Sequence, residues 1–159
     1  MKVLTAMAFL FLAFQVQATP TAEQPDRNIE AYNLESNLGL KGYDPVSYFE
    51  EHGATAKKGS ADITTTYGGV TYRFSSTETR DIFLGNPTKY EPTYGGWCAW
   101  AMANEAYADI DPVIYTQHGN RMHFFISRGA KARFDQRLED RESDADDYWS
   151  DESGEKPRK

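Results

Sequence analysis

Two short runs of the chain alternate apolar and polar residues with period two. In DITTTY (62–67), Ile63, Thr65 and Tyr67 share one face, and in VTYRF (70–74), Val70, Tyr72 and Phe74 do the same. Gly68-Gly69 between them suits a tight turn with positive φ, so the pattern predicts a β-hairpin with one apolar face. PVIYTQ (112–117) and RMHFFI (121–126) flank His118-Gly119-Asn120 and predict a second hairpin. After the first, Ser75 and Glu78 have capping-box spacing, Ile82 and Phe83 supply an apolar edge, and Gly85-Asn86-Pro87 stops the helix. After the second, Ser127 caps a helix that carries Phe134 and Leu138 one turn apart.

Upstream, Asp44 and Pro45 form a helix start, with Asp44 as cap and Pro45 at the first helical position, and Gly53 is the stop. Leu38-Gly39-Leu40 reads as a short strand. The segment 87–96 is dense in Pro, Gly and Tyr and reads as a packed irregular loop. It leads into Trp97-Cys98-Ala99, for which a strand and a single helical turn both fit. No internal repeat with a fixed period is apparent. Two hairpins, each followed by a helix, give a small α+β domain.

The flanks read differently. Lys2 followed by the apolar run Val3–Val16, with small residues up to Ala18, has the form of a secretory signal over 1–18. The run is shorter than the roughly 20 residues of a bilayer span. Residues 19–36 read as a flexible leader, 37–149 as the domain, and 150–159 as a disordered acidic tail. The expected location is secreted or periplasmic, with no membrane span after signal cleavage.

Charge narrows the partners. The net charge is -7, and nine acids against four bases fall between Glu139 and Lys159. No basic stripe is present, which argues against nucleic acid.

Cys98 is the single cysteine, so an exported chain has no internal disulfide available. Its thiol is either buried as a small apolar group or kept for a ligand. Cys98, Met102, His118 and His123 together form a donor set of the kind that favours copper(I). Each also has a structural reading: core filler for Met102, an exposed turn for His118, a strand position for His123. The glycines of Tyr94-Gly95-Gly96-Trp97 let backbone approach a ring or a ligand. One outcome is close packing beneath Tyr43 or Tyr48; another is a pocket walled by Tyr43, Tyr94 and Trp97 with Cys98 at its base. Asp44 reads as a helix cap before an acid catalyst, and His52 as a helix-end residue.

Gly42-Tyr43-Asp44-Pro45-Val46-Ser47-Tyr48-Phe49 resembles the GYDPVAYF opening of secreted YHS-domain proteins. Asn86-Pro87, Tyr90, Pro92 and Tyr94-Gly95-Gly96 followed by Cys98-Ala99 are similar to the second half of that signature. The resemblance covers roughly residues 37–149 and implies a YHS-like fold, distantly treble-clef or TRASH-like. It also implies kinship with modules found beside soft-metal transport and sensing proteins. The chain departs from the metal-binding modules at Ser47, where their first cysteine stands, so a closed multi-cysteine zinc site is not available. Three functions follow as expectations. The first is an exported module that binds a soft metal such as copper, or a small ligand, around Cys98. The second is a cell-envelope interaction module without chemistry. The third is a thiol enzyme or redox protein using Cys98, which lacks a CxxC partner for disulfide exchange.

Overall fold

The computed structural model describes residues 27–158. The signal expected over 1–18 and the first part of the leader lie outside the described residues. The architecture is a small single α+β domain with two separate antiparallel two-stranded sheets.

Strands β1 (Ser60–Tyr67) and β2 (Val70–Phe74) form the first hairpin; β3 (Asp111–His118) and β4 (Arg121–Phe125) form the second. Gly68 and Gly69 both take positive φ in the first turn, and Gly119 does so in the second. Helix α1 (Thr77–Gly85) follows β2. It starts one residue later than the sequence pattern implied: Ser76 is the cap and Thr79 completes the box, because Ser75 is drawn to Asp44. Short helices α2 (Pro87–Tyr90) and α3 (Ala99–Met102) come next, then α4 (Arg128–Asp135), capped by Ser127 as expected, and α5 (Leu138–Ser153). Phe134 and Leu138 therefore sit on different helices, since the chain breaks at Gln136–Arg137.

The expected helix from Asp44 is a series of turns ending in a 3-10 turn, Glu50–His52, with Gly53 left-handed behind it. Asp44 is fully buried. One carboxylate oxygen takes the Val46 amide, and the other takes the Ser75 amide, the Ser75 hydroxyl and the Thr79 hydroxyl. The carboxylate is thus a bolt between the first loop and the start of α1. The expected strand at 38–40 is reduced to single bridges from Leu38 to Glu35 and Thr71. Residues 97–99 satisfy both readings: Cys98 bridges Phe124 in parallel, and Ala99 begins α3.

Both flanks are more ordered than their composition implied. Within the leader, Ile29–Ala31 forms a 3-10 turn and Tyr32 is buried edge-on against Trp149 at 5.5 Å. Residues 150–153 complete α5. Glu142, Ala145, Trp149 and Ser153 recur at helical spacing and form its buried face, so the acids between them mark its solvent side rather than disorder. Gly95, at φ +59°, allows this packing: a Cβ there would lie 2.7 Å from Trp149 and 3.0 Å from Tyr32. The close approach is real, but its partners are Trp149 and Tyr32 instead of Tyr43 or Tyr48.

The two hairpin–helix units repeat. Each position of the second lies 51 residues beyond its counterpart: Ser60 pairs with Phe74 and Asp111 with Phe125, Tyr67 with Val70 and His118 with Arg121. The register slips at the same place, between Ser60 and Thr64 and between Asp111 and Tyr115. Phe74 meets Phe83 at 5.3 Å, and Phe125 meets Phe134 at 5.3 Å. Tyr72 meets Phe83 at 5.0 Å and 46°, and His123 meets Phe134 at 5.2 Å and 48°. The sequence bears a faint trace in Ile63/Ile114, Thr65/Thr116, Gly68/Gly119, Phe74/Phe125, Ser76/Ser127, Phe83/Phe134 and Glu91/Glu142.

Candidate functional site

Cys98 is 0 % exposed. Its amide donates to Ala108 O at 3.0 Å, its carbonyl accepts from Met102, and its Sγ accepts the Ile126 amide at 3.4 Å. In the first repeat the equivalent contacts are made by Asp44, also buried: its amide donates to Lys57 O at 2.9 Å and its carboxylate accepts the Ser75 amide at 2.9 Å. Cysteine and aspartate do parallel work, each tying the residue after the second strand of its hairpin to the interior.

The four metal candidates are not brought together. Met102 is core, while His118 and His123 both turn to Glu142. Among the described residues no group of three His, Cys, Asp or Glu side chains is placed to hold a metal. A copper centre built on Cys98 does not fit this donor set, because the sulfur is sealed and its lone pair is engaged. The expected aromatic pocket is likewise dispersed. Tyr43 lies under Lys58, Trp97 donates from Nε1 to Ala31 O at 2.7 Å and packs on Tyr107, and Tyr94 belongs to the Glu142 network. His52 meets the Tyr90 hydroxyl at 3.2 Å.

What the fold does build is a pair of carboxylate centres at equivalent positions of the repeat. At Glu142, on α5, His123 Nε2 lies 2.6 Å from Oε1 and His118 Nδ1 3.1 Å from it, with Arg121 Nη1 3.5 Å from Oε2. Arg121 is also paired with Asp146, and Tyr94 donates its hydroxyl to Asp146 at 2.9 Å while stacking on His123. Burial lowers the His123 pKa below 6.5, so its ring is neutral and donates through Nε2. Its Nδ1 is buried without a partner among the described residues; as a bare lone pair it costs less than an orphaned N–H. Burial alone would raise Glu142, but the His123 and His118 hydrogen bonds and the Arg121 charge outweigh it and pull its pKa down to about 2. The His118 side chain remains 47 % exposed, at the edge of a groove with Gln136 and Leu138.

At Glu91, just after α2, Tyr72 donates to Oε1 at 3.0 Å from the strand position equivalent to His123. Oε2 accepts from Arg27 Nη2 at 2.5 Å and from Nε and Nη2 of Arg158, each at 3.2 Å. The Tyr32 hydroxyl accepts from Arg27 and Arg158 and donates to Glu155 at 2.6 Å. Glu91 is 2 % exposed, and burial pushes its pKa up to about 7 in spite of Arg27 and Tyr72.

Sequence reasoning passed over both carboxylates. The Glu91/Glu142 coincidence at offset 51, within the row of identities above, is the signal that reveals them. Comparison with family models, with curated proteins and with solved structures gives no match. Among the described residues no helix is long and apolar enough to cross a membrane.

Proposed function

We propose that the chain is an exported interaction module of the YHS type, which binds a polypeptide partner through its polar surface sites and uses Cys98 as part of its core. The observation that carries this reading is the state of the Cys98 sulfur: fully enclosed and accepting the Ile126 amide, as the buried Asp44 carboxylate accepts the equivalent Ser75 amide in the first repeat. A nucleophilic or metal-binding cysteine needs a thiolate that reagent or metal can reach. The Glu91 carboxylate, tied to cations supplied from outside its own repeat, fits recognition by charge and shape.

Thiol accessibility tests the reading. In the folded protein Cys98 resists alkylation across the neutral and mildly alkaline range and reacts fully after denaturation. Copper(I) competition with a chelator gives the same affinity for wild type and Cys98→Ala. Rapid alkylation of the native protein, or copper affinity that falls with Cys98→Ala, overturns it.

A further inference from the structure

Glu91 and Glu142 stand at equivalent positions yet draw their partners from different sources. Glu142 is satisfied from its own repeat, by His118, His123 and Arg121 of the β3–β4 hairpin. The first repeat has Tyr67, Tyr72 and Val70 at the corresponding places, so its hairpin supplies one hydroxyl and no cation. The missing positive charge comes from outside the repeat, from Arg27 and Arg158.

The site is shaped for guanidinium. Arg158 lies 5.8 Å from the Tyr32 ring centre and Arg27 5.8 Å from that of Tyr67, while a nearly enclosed carboxylate oxygen faces both. Planar cations stacked on rings and hydrogen-bonded to a carboxylate are a recognition mode that suits arginine and not lysine. The present occupant fits incompletely: Arg158 is 9 % exposed, yet its Nη1 has no acceptor among the described residues. It is delivered by a short segment past α5, and cavities of about 310 and 350 Å³ flank it, the first beside Thr88 and Asn120, the second beside Lys156 and Pro157.

We infer that the Glu91 centre is a receptor for an arginine side chain presented by a polypeptide segment, and that Arg158 of the chain itself occupies it as an exchangeable internal ligand. This rests on the interaction-module reading and gives it a partner chemistry. A partner segment with a better-placed arginine displaces residues 155–158 and takes over Oε2 of Glu91.

The test is chemical rescue in the full chain. Arg158→Ala lowers the thermal midpoint, methylguanidinium restores it in a saturable manner, and methylammonium at the same ionic strength does not. A synthetic peptide of residues 154–159 binds Arg158→Ala at least about tenfold more tightly than wild type, where the internal arginine competes. Glu91→Gln removes both effects. If Arg158→Ala does not fold, recovery of folding on adding methylguanidinium carries the same meaning. Rescue that is absent, is equalled by methylammonium, or persists in Glu91→Gln overturns the inference. The Cys98 measurements above are unaffected by any of these results.

Discussion

His123 Nε2 lies 2.6 Å from Glu142 Oε1, and the imidazole is completely buried. This contact fastens α5 to the strand β4, and the same carboxylate is approached by His118 and Arg121. Replacing Glu142 by Ala leaves the buried His123 donor without its acceptor and Arg121 with Asp146 as its remaining carboxylate. Loss of one partner of such a pair costs about 3 kcal/mol. The expected outcome is a lower urea midpoint with an unchanged m-value; a midpoint equal to wild type would show that Asp146 alone holds the helix.

Acid acts on the same network. Glu142 titrates at about 2 when folded, against 4.5 ordinarily, so its contribution is complete above 4.5 and is lost as pH falls towards 2. His123, with its pKa lowered from 6.5, works in the same direction, because its neutral folded form resists the proton that the unfolded chain accepts below 6.5. Urea midpoints should decline as pH falls below 4.5, and Glu142→Gln should flatten that limb.

Glu91 has the opposite sign. Its folded pKa of about 7 lies above 4.5, so its contribution is present below 4.5 and is lost as pH rises through 7. Glu91→Gln should remove this component, and the difference in stability between variant and wild type should change between pH 4.5 and 7. A difference that stays constant across that window would mean that the carboxyl is fully ionised throughout.

Gly95→Ala should be among the more damaging single-methyl changes. It places a Cβ 2.7 Å from the Trp149 ring on a backbone at φ +59°. Overpacking and left-handed strain together cost on the order of 3 kcal/mol. A fall in thermal midpoint with weakened near-ultraviolet circular dichroism from tryptophan would confirm the contact. Gly119→Ala, with positive φ but open space around its Cβ, should cost clearly less.

Removing residues 155–159 should also destabilise the domain, by about 1–3 kcal/mol, since it takes Arg158 from a buried acceptor and Glu155 from Tyr32. A disordered tail would come off without effect, so the unfolding midpoint separates the two descriptions directly.

What the sequence made legible was local. Gly68-Gly69, Gly53 and Ser127 announced a turn, a helix stop and a cap because each acts on backbone within a few residues. Asp44 was half legible: its bond to Val46 is local, but its second oxygen serves Ser75 and Thr79, which alternation cannot disclose. The two carboxylate centres were opaque for the same reason. Arg158 and Glu91 are 67 residues apart, and in a chain with 24 acids charge complementarity selects no particular pair. The acids beyond Trp149 misled in the other direction, since they suggested disorder while Ser153, four residues after Trp149, continues the buried face of α5. The depth of Cys98 and Met102 was illegible too: residue type names a donor, but only packing decides whether the donor is within reach.

Because Arg27 and Arg158 converge on one oxygen atom, the molecule is drawn shut like a pouch on a single knot. A label attached at either margin therefore reports on the opposite one. A short bridge joining the two margins, with a fresh opening cut at the β3–β4 turn, gives a rewired chain in which the knot is permanent and the exchange at Glu91 is locked.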